Sequence, residues 1–263
     1  MLPAHETKHV PLLRVPFPSH TFELAQSASA ESNGTALWLC GQVLALYVLA
    51  EYPAPAAAPA PRTSQPGTGA TRSTAQLGRR RRACELGSGT GLTTLALASQ
   101  GWDVLASDVP FIASGVLSTN IAHNLARARP DWGAVEVQAV DWREPLDCAL
   151  WALGPPYDLI LSADTVYHPS LVGPLLDTLA SLARLSTPLG KTRSCPVLLC
   201  LERRDPALVD EALREAKARF AGRRVGQGSL RKAVARGGGM QGDWEGVELW
   251  RFTLLREGEG EGG

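Results

Sequence analysis

Apolar positions along this chain change their spacing several times, and each change marks an element. Over residues 35–52 the segment TALWLCGQVLALYVLAEY is apolar nearly all the way round, which predicts a helix buried on every side. Residues 1–30 ahead of it read as an extended lead-in with one hairpin around residues 12–24. Residues 53–82 lose apolar periodicity. Pro, Ala, Ser, Thr and Gly dominate there, and the stretch closes on Arg79, Arg80, Arg81 and Arg82. Such a composition buries too little apolar surface to offset the entropy of ordering, so a disordered insertion is expected. The arginine run reads as a solvated lead into the next strand rather than a site for acidic partners.

From Ala83 the pattern becomes regular. Short apolar runs predict strands at 83–86, 103–107, 134–140, 157–163, 196–202 and 247–255, and helical spacings predict helices at 92–100, 112–127, 170–185 and 206–220. Alternating strands and helices predict a mostly parallel sheet covered by helices on both faces. The last two segments lack a clear helix between them and are expected to pair antiparallel. The organisation is thus a lead-in and buried helix (1–52) packing on one core (83–256), with the insertion (53–82) between them. A Gly/Glu tail (257–263) is expected to be disordered.

Composition narrows the function classes. A chain of 263 residues suits one α/β domain. Its 26 basic and 26 acidic residues cancel, so no net field draws it to nucleic acid or an anionic membrane. No apolar run approaches the roughly 18 residues of a membrane span. The start, with Glu6, Lys8 and His9, has no signal-peptide core. The five cysteines (Cys40, Cys84, Cys148, Cys195 and Cys200) are scattered, with no C-x-x-C spacing. That speaks against a disulfide framework or a metal site and for a reducing, cytoplasmic setting.

Four groups of residues carry candidate chemistry. The first is Glu85-Leu86-Gly87-Ser88-Gly89-Thr90-Gly91, between a strand and a helix. Glycine permits the tight turn and lets a ligand approach the backbone. A dinucleotide fingerprint needs G-x-G-x-x-G, whereas Leu92 stands where its third glycine would be. Glu85, two residues before the first glycine, suits a cationic ligand group and opposes a pyrophosphate. The second is Asp108, about 20 residues on at the next strand end, where an acid accepts hydrogen bonds from ribose hydroxyls. The third is Asp141-Trp142 after the third strand, an aromatic and an acid able to stack on adenine and bond its amino group. The fourth is Ser162-Ala163-Asp164-Thr165-Val166-Tyr167, closing the fourth strand. Each also has a plain structural reading: a glycine turn, a turn aspartate, a core tryptophan and a strand end.

The loop resembles motif I of class I methyltransferases. Asp164-x-x-Tyr167 resembles the signature of the eukaryotic seven-strand protein-lysine methyltransferases (the Asp-x-x-Tyr, lysine methyltransferase 21-like type). The likeness spans roughly residues 33–185, with weaker support to Leu255, and includes Trp38 ahead of the apolar helix. It implies a Rossmann-like α/β fold with a mostly parallel seven-stranded sheet and an antiparallel C-terminal strand. It also implies S-adenosyl-L-methionine as cofactor and a monomer acting on a protein substrate. By the same resemblance Trp38, Glu85, Gly87, Ser88, Gly89, Asp108, Trp142 and Ala163 would line the cofactor, while Asp164 and Tyr167 would face the substrate lysine. The run LCLERRD (199–205) is similar to that of the fungal elongation-factor branch, which puts elongation factor 1A first among substrates. The insertion and His168, directly after the tyrosine, depart from the pattern. His168 reads as a polar loop residue in preference to a general base. The rival readings are a small-molecule methyltransferase, a non-catalytic interaction module and an NAD-binding oxidoreductase.

Overall fold

The computed structural model describes residues 2–27, 33–53, 79–187, 194–238, 244 and 246–255. The expectations for residues 54–78 and for the tail 257–263 lie outside the described residues. A one-turn helix α1 (Ala4–Thr7) leads into a hairpin of β1 (Leu12–Phe17) and β2 (His20–Ala25), paired antiparallel with Leu12 opposite Ala25. The buried helix follows as α2 (Leu39–Glu51). Leu39, Cys40, Val43, Leu44, Leu46 and Val48 are all buried, as an all-round apolar sequence requires.

The core then alternates: β3 (Arg82–Leu86), α3 (Leu92–Ala98), β4 (Asp103–Asp108), α4 (Pro110–Ile112), a π-helical turn (Ala113–Leu117), α5 (Ser118–Leu125), β5 (Val135–Ala139), β6 (Leu159–Ala163), α6 (Pro169–Leu185), β7 (Val197–Glu202), α7 (Pro206–Ala216), β8 (Phe220–Arg224), α8 (Gln227–Arg236) and β9 (Val247–Leu254). The seven core strands lie in the order β5-β4-β3-β6-β7-β9-β8. All neighbours pair parallel except β9, which runs antiparallel to both β7 and β8. This is the seven-stranded sheet with an antiparallel C-terminal strand that the resemblance implies.

Two predicted segments differ from what forms. The single helix expected over 112–127 is split into α4, the π turn and α5, because Gly115 sits at φ −98°, ψ −107°, outside the helical range. The helix expected over 206–220 stops at Ala216, and the chain turns into β8. Only Phe220 of β8 is buried, while Ala221, Gly222, Arg223 and Arg224 are exposed. An edge strand with one buried side chain shows no period-two pattern. Helix α8, which links it to β9, was likewise not legible as a helix.

Side chains alternate across the sheet, and each face has its own core. Val104 and Ala106 face the layer built from α2, α3, α5, α8 and the hairpin, whereas Leu105 faces the layer of α6 and α7. The hairpin is held by two asparagines one turn apart on α5. The Glu23 and Ala25 amides donate to Asn124 Oδ1 (3.1 Å) and Asn120 Oδ1 (2.7 Å), and the two Nδ2 groups donate back to Glu23 O (2.8 Å) and Ala25 O (3.1 Å). These side chains stand in for a third strand.

Candidate active site

The carboxyl ends of β3, β4 and β6 converge beside the amino end of α2. In a sheet of this topology that is where ligands bind. Two abutting cavities open there. One of about 230 Å³ is lined by Gly34, Trp38, Gly87, Asp108, Val109, Asp141, Trp142, Arg143, Ala163, Asp164, Thr165, Tyr167 and Leu171. A smaller one of about 40 Å³ shares Trp38, Gly87 and Ala163 and adds Glu85, Ser88 and Thr93 among others. Of the ten residues singled out from sequence, nine line one or both cavities. Gly89 lines neither, but its amide holds Asp108. A larger cavity of about 660 Å³ lies at the opposite, amino-terminal edge of the sheet, against Trp102, Asp158 and Arg251. None of the candidate residues line it.

The loop after β3 takes its shape from glycine. Gly87, Gly89 and Gly91 sit at φ +69°, +53° and +86°, a region open to glycine without steric cost. A Cβ at Gly87 would lie 2.6 Å from Thr165 Cγ2 and 3.3 Å from Trp142, and one at Gly89 would lie 3.3 Å from Gly34 O. The loop is thus a cradle that any side chain at Gly87 would fill. Ser88 and Ser107 tie it down: the Ser88 amide donates to Ser107 O (2.9 Å), the Ser107 amide to Ser88 Oγ (3.1 Å), and the Ser107 hydroxyl to Glu85 O (2.9 Å). Asp108 closes the turn, with its two oxygens accepting from the Gly89 and Val109 amides, each at 2.8 Å. Burial raises its carboxyl above the usual range, and these two bonds pull it back. Each carboxylate oxygen keeps acceptor capacity for a ligand hydroxyl.

Glu85 is buried, only 2% exposed, with the Thr94 hydroxyl donating to Oε2 at 2.5 Å. Burial pushes its carboxyl up to about 7, against the opposing pull of hydroxyl and amide bonds from Thr94, Thr93 and Ser88. A buried acid whose partners are all neutral leaves its charge for a cation to balance. Across the 230 Å³ cavity, the buried Trp142 Nε1 has no hydrogen-bond partner. Its neighbour Asp141 is taken by Arg143 (Nε to Oδ1 2.9 Å, Nη2 to Oδ2 2.6 Å).

Asp164 follows β6 at φ +59°, the only non-glycine residue with positive φ among the described residues. Such a conformation costs about 1–3 kcal/mol and persists only where the surroundings enforce it. They do so here. The Asp164 amide donates to Cys200 O (2.9 Å), and the Ser162 hydroxyl meets Leu86 O (2.9 Å) and Thr165 Oγ1 (2.8 Å). The Asp164 side chain is 10% exposed and paired through both oxygens with Arg204. Burial raises its carboxyl, and the Arg204 charge is the largest influence pulling it down. Arg204 Nε also donates to Glu202 Oε2 (3.0 Å), and its guanidinium lies 4.7 Å over the Trp38 ring. Donor atoms of Cys40, Asp164 and Glu202 fall within 4.8 Å of one another. The cation among them is the guanidinium, so these residues are not read as metal ligands.

Sequence reasoning missed Arg204. It sits at the carboxyl end of β7, next in the sheet to β6, and that position was the available signal. Tyr167, 47% exposed, stands at the mouth of the cavity with Val109, 39% exposed. His168 does not line the cavity. It caps α6, its Nδ1 accepting from the Ser170 amide at 3.3 Å.

The family model described as lysine methyltransferase matches residues 16–221, which takes in every candidate site residue from Trp38 to Arg204. The chain belongs to the lysine methyltransferase family. Among curated relatives it is 39% identical over 103 residues to protein N-lysine methyltransferase METTL21A of Danio rerio, covering 39% of this chain and 44% of that protein. It is 35% identical over 104 residues to EEF1A lysine methyltransferase 3 of Mus musculus, covering 40% and 41%. The matches thus span less than half the length of each relative. Among solved structures it is similar to N-methyltransferase NodS of Bradyrhizobium japonicum in complex with S-adenosyl-L-homocysteine. That likeness has a TM-score of 0.44 and 14% identity over 67% of this chain and 79% of that one. No helix among the described residues is long and apolar enough to cross a membrane.

Proposed function

We propose that this lysine methyltransferase family member is an S-adenosyl-L-methionine-dependent protein-lysine N-methyltransferase, cytoplasmic, with elongation factor 1A as its first candidate substrate. One observation carries the reading. Asp164, a mostly buried acid in an enforced left-handed backbone, stands at the wall shared with Trp38, Ala163 and the glycine cradle. The substrate preference rests on the mouse relative's name and on the LCLERRD run. The location rests on the scattered spacing of the five cysteines.

The residues present fit the cofactor. The cradle at Gly87 leaves room for backbone approach, Asp108 offers oxygens to the ribose, and Trp142 offers a ring to the adenine. Glu85 balances a positive amino group. When bound, S-adenosyl-L-methionine supplies a methyl group on a sulfonium, already activated for displacement by an amine lone pair. The chain itself then has to position the amine and exclude water, and orientation of this kind can supply roughly 7–11 kcal/mol of the barrier. The lysine must arrive neutral, yet its ordinary pKa is about 10.4. Desolvation and a neighbouring positive charge both favour the neutral form. Asp164 accepts a hydrogen bond from the amine and aims its lone pair, and Tyr167 walls the channel at its mouth. The exposure of Tyr167 and Val109 suits a lysine reaching in from a partner protein.

The test is transfer of labelled methyl groups from S-adenosyl-L-methionine into lysate of cells lacking this protein, beside Asp164→Ala. The wild-type chain is expected to label one band, on lysine. The variant is expected to lose about a hundredfold or more in rate, the scale of a positioned polar catalytic group, while still binding S-adenosylhomocysteine. A fully active variant would remove Asp164 from this role.

A further inference from the structure

Asp164 poses an electrostatic difficulty for the reading above. A bare carboxylate beside an amine holds the amine's proton, whereas methyl transfer needs the proton gone. The structure places a guanidinium at that point. Arg204 pairs with both Asp164 oxygens, donates to Glu202 at 3.0 Å and lies 4.7 Å over Trp38. We propose that Arg204 is a positioning residue that offsets the charge of Asp164, so that Asp164 orients the substrate lysine without retaining its proton. This inference rests on the lysine methyltransferase reading and deepens it.

The groups facing Asp164 set the local balance. Glu202 and Arg204 come from the end of β7, Cys40 from α2 and Cys200 from β7. Tyr167, at the mouth, faces Asp108 and Arg143. Burial holds the Cys40 thiol far above its ordinary range, so it adds no charge. Two carboxylates against one guanidinium leave a single formal negative charge beside Trp38. One sulfonium cancels it. After accepting from Arg204 and Cys40, the Asp164 carboxylate still has a lone pair for the neutral amine. With Arg204 removed, the same site would carry two negative charges and would hold both the sulfonium and the ammonium form of lysine more tightly.

Two readouts test this on the full chain. The first is calorimetric affinity for S-adenosyl-L-methionine and S-adenosylhomocysteine, a cation and its neutral analogue. Arg204→Gln is expected to raise the preference for the cation about tenfold, the scale of one partly screened charge at close range. The second is the pH profile of methyl transfer to purified elongation factor 1A, or to whichever protein the lysate labels. Its rising limb is expected to move to higher pH by about one unit in Arg204→Gln, with a matching loss near pH 7. Arg204→Lys is expected to restore part of the shift, since it keeps the charge but not the paired geometry. A loss of rate equal at every pH, with the cation preference unchanged, would overturn the proposal and leave the lysine methyltransferase reading standing. A wild-type chain that binds neither ligand would overturn both. If Arg204→Gln does not fold, Arg204→Lys and Asp164→Asn carry the measurement, the latter expected to lower the cation preference about tenfold.

Discussion

Glu85 and Asp164 lie at the carboxyl ends of neighbouring strands of one sheet, the first buried and the second nearly so, yet the protein holds them in opposite ways. Glu85 is surrounded by neutral hydroxyls, chiefly Thr94, so its charge awaits a cation. Asp164 is paired through both oxygens with Arg204, which it shares with Glu202, so part of its charge is met before any ligand arrives. The first arrangement suits binding, because a positively charged group is recognised by the need it fills. The second suits positioning, because a carboxylate already partly balanced can direct an amine without holding its proton. Two residues of similar chemistry are thus held in different electrostatic settings by their partners.

The comparison can be broken first at Glu85. Its carboxyl is raised from 4.5 to about 7. Below pH 4.5 the folded and unfolded chains both hold the proton. Between 4.5 and 7 only the folded chain does, so stability falls as pH rises through this window and levels off above it. The swing is about 3 kcal/mol for a shift of this size. The ligand-free protein is expected to lose melting temperature between pH 5 and pH 7.5, and Glu85→Gln is expected to stay nearly level. Parallel curves for the two would show that Glu85 is not the group that titrates. A smaller effect belongs to the cradle. Gly87→Ala sets a Cβ 2.6 Å from Thr165 at φ +69°, and is expected to cost about 2 kcal/mol, or some thirtyfold in S-adenosylhomocysteine affinity. Calorimetry reads this directly, and unchanged affinity would mean that the loop does not meet the ligand. The smallest effect is at His168, whose ring caps α6. His168→Ala is expected to lose about 1 kcal/mol of stability and to keep its methyl-transfer rate. A collapse of the rate with normal melting would return His168 to the chemistry.

The Glu85 half of the site was legible from sequence because its parts are local. The strand, the glycines and Thr94 fall within one strand-loop-helix unit, and the Thr94 partner is nine residues away. The Asp164 half was legible only in part. Asp-x-x-Tyr marks the end of β6, but Arg204 lies forty residues on. Nothing in the spacing of Glu202-Arg203-Arg204 says that the third residue pairs with Asp164 and the second with Asp210 and Glu248. The same contrast holds for the fold. Strands buried on both faces announced themselves as apolar runs, whereas the edge strand β8, with one buried residue, did not.

By itself, then, the sequence determined the alternating order of strands and helices, the all-round burial of α2, the glycine turn and the acids at the strand ends. Each of these depends on neighbours within a few residues. The tertiary structure alone decided the sheet order, which set β6 beside β7, and with it the pairing of Asp164 with Arg204 over Trp38. Sheet pairing joins segments far apart along the chain through backbone hydrogen bonds. Those bonds carry no residue identity, so the contacts they bring together are written in no local pattern.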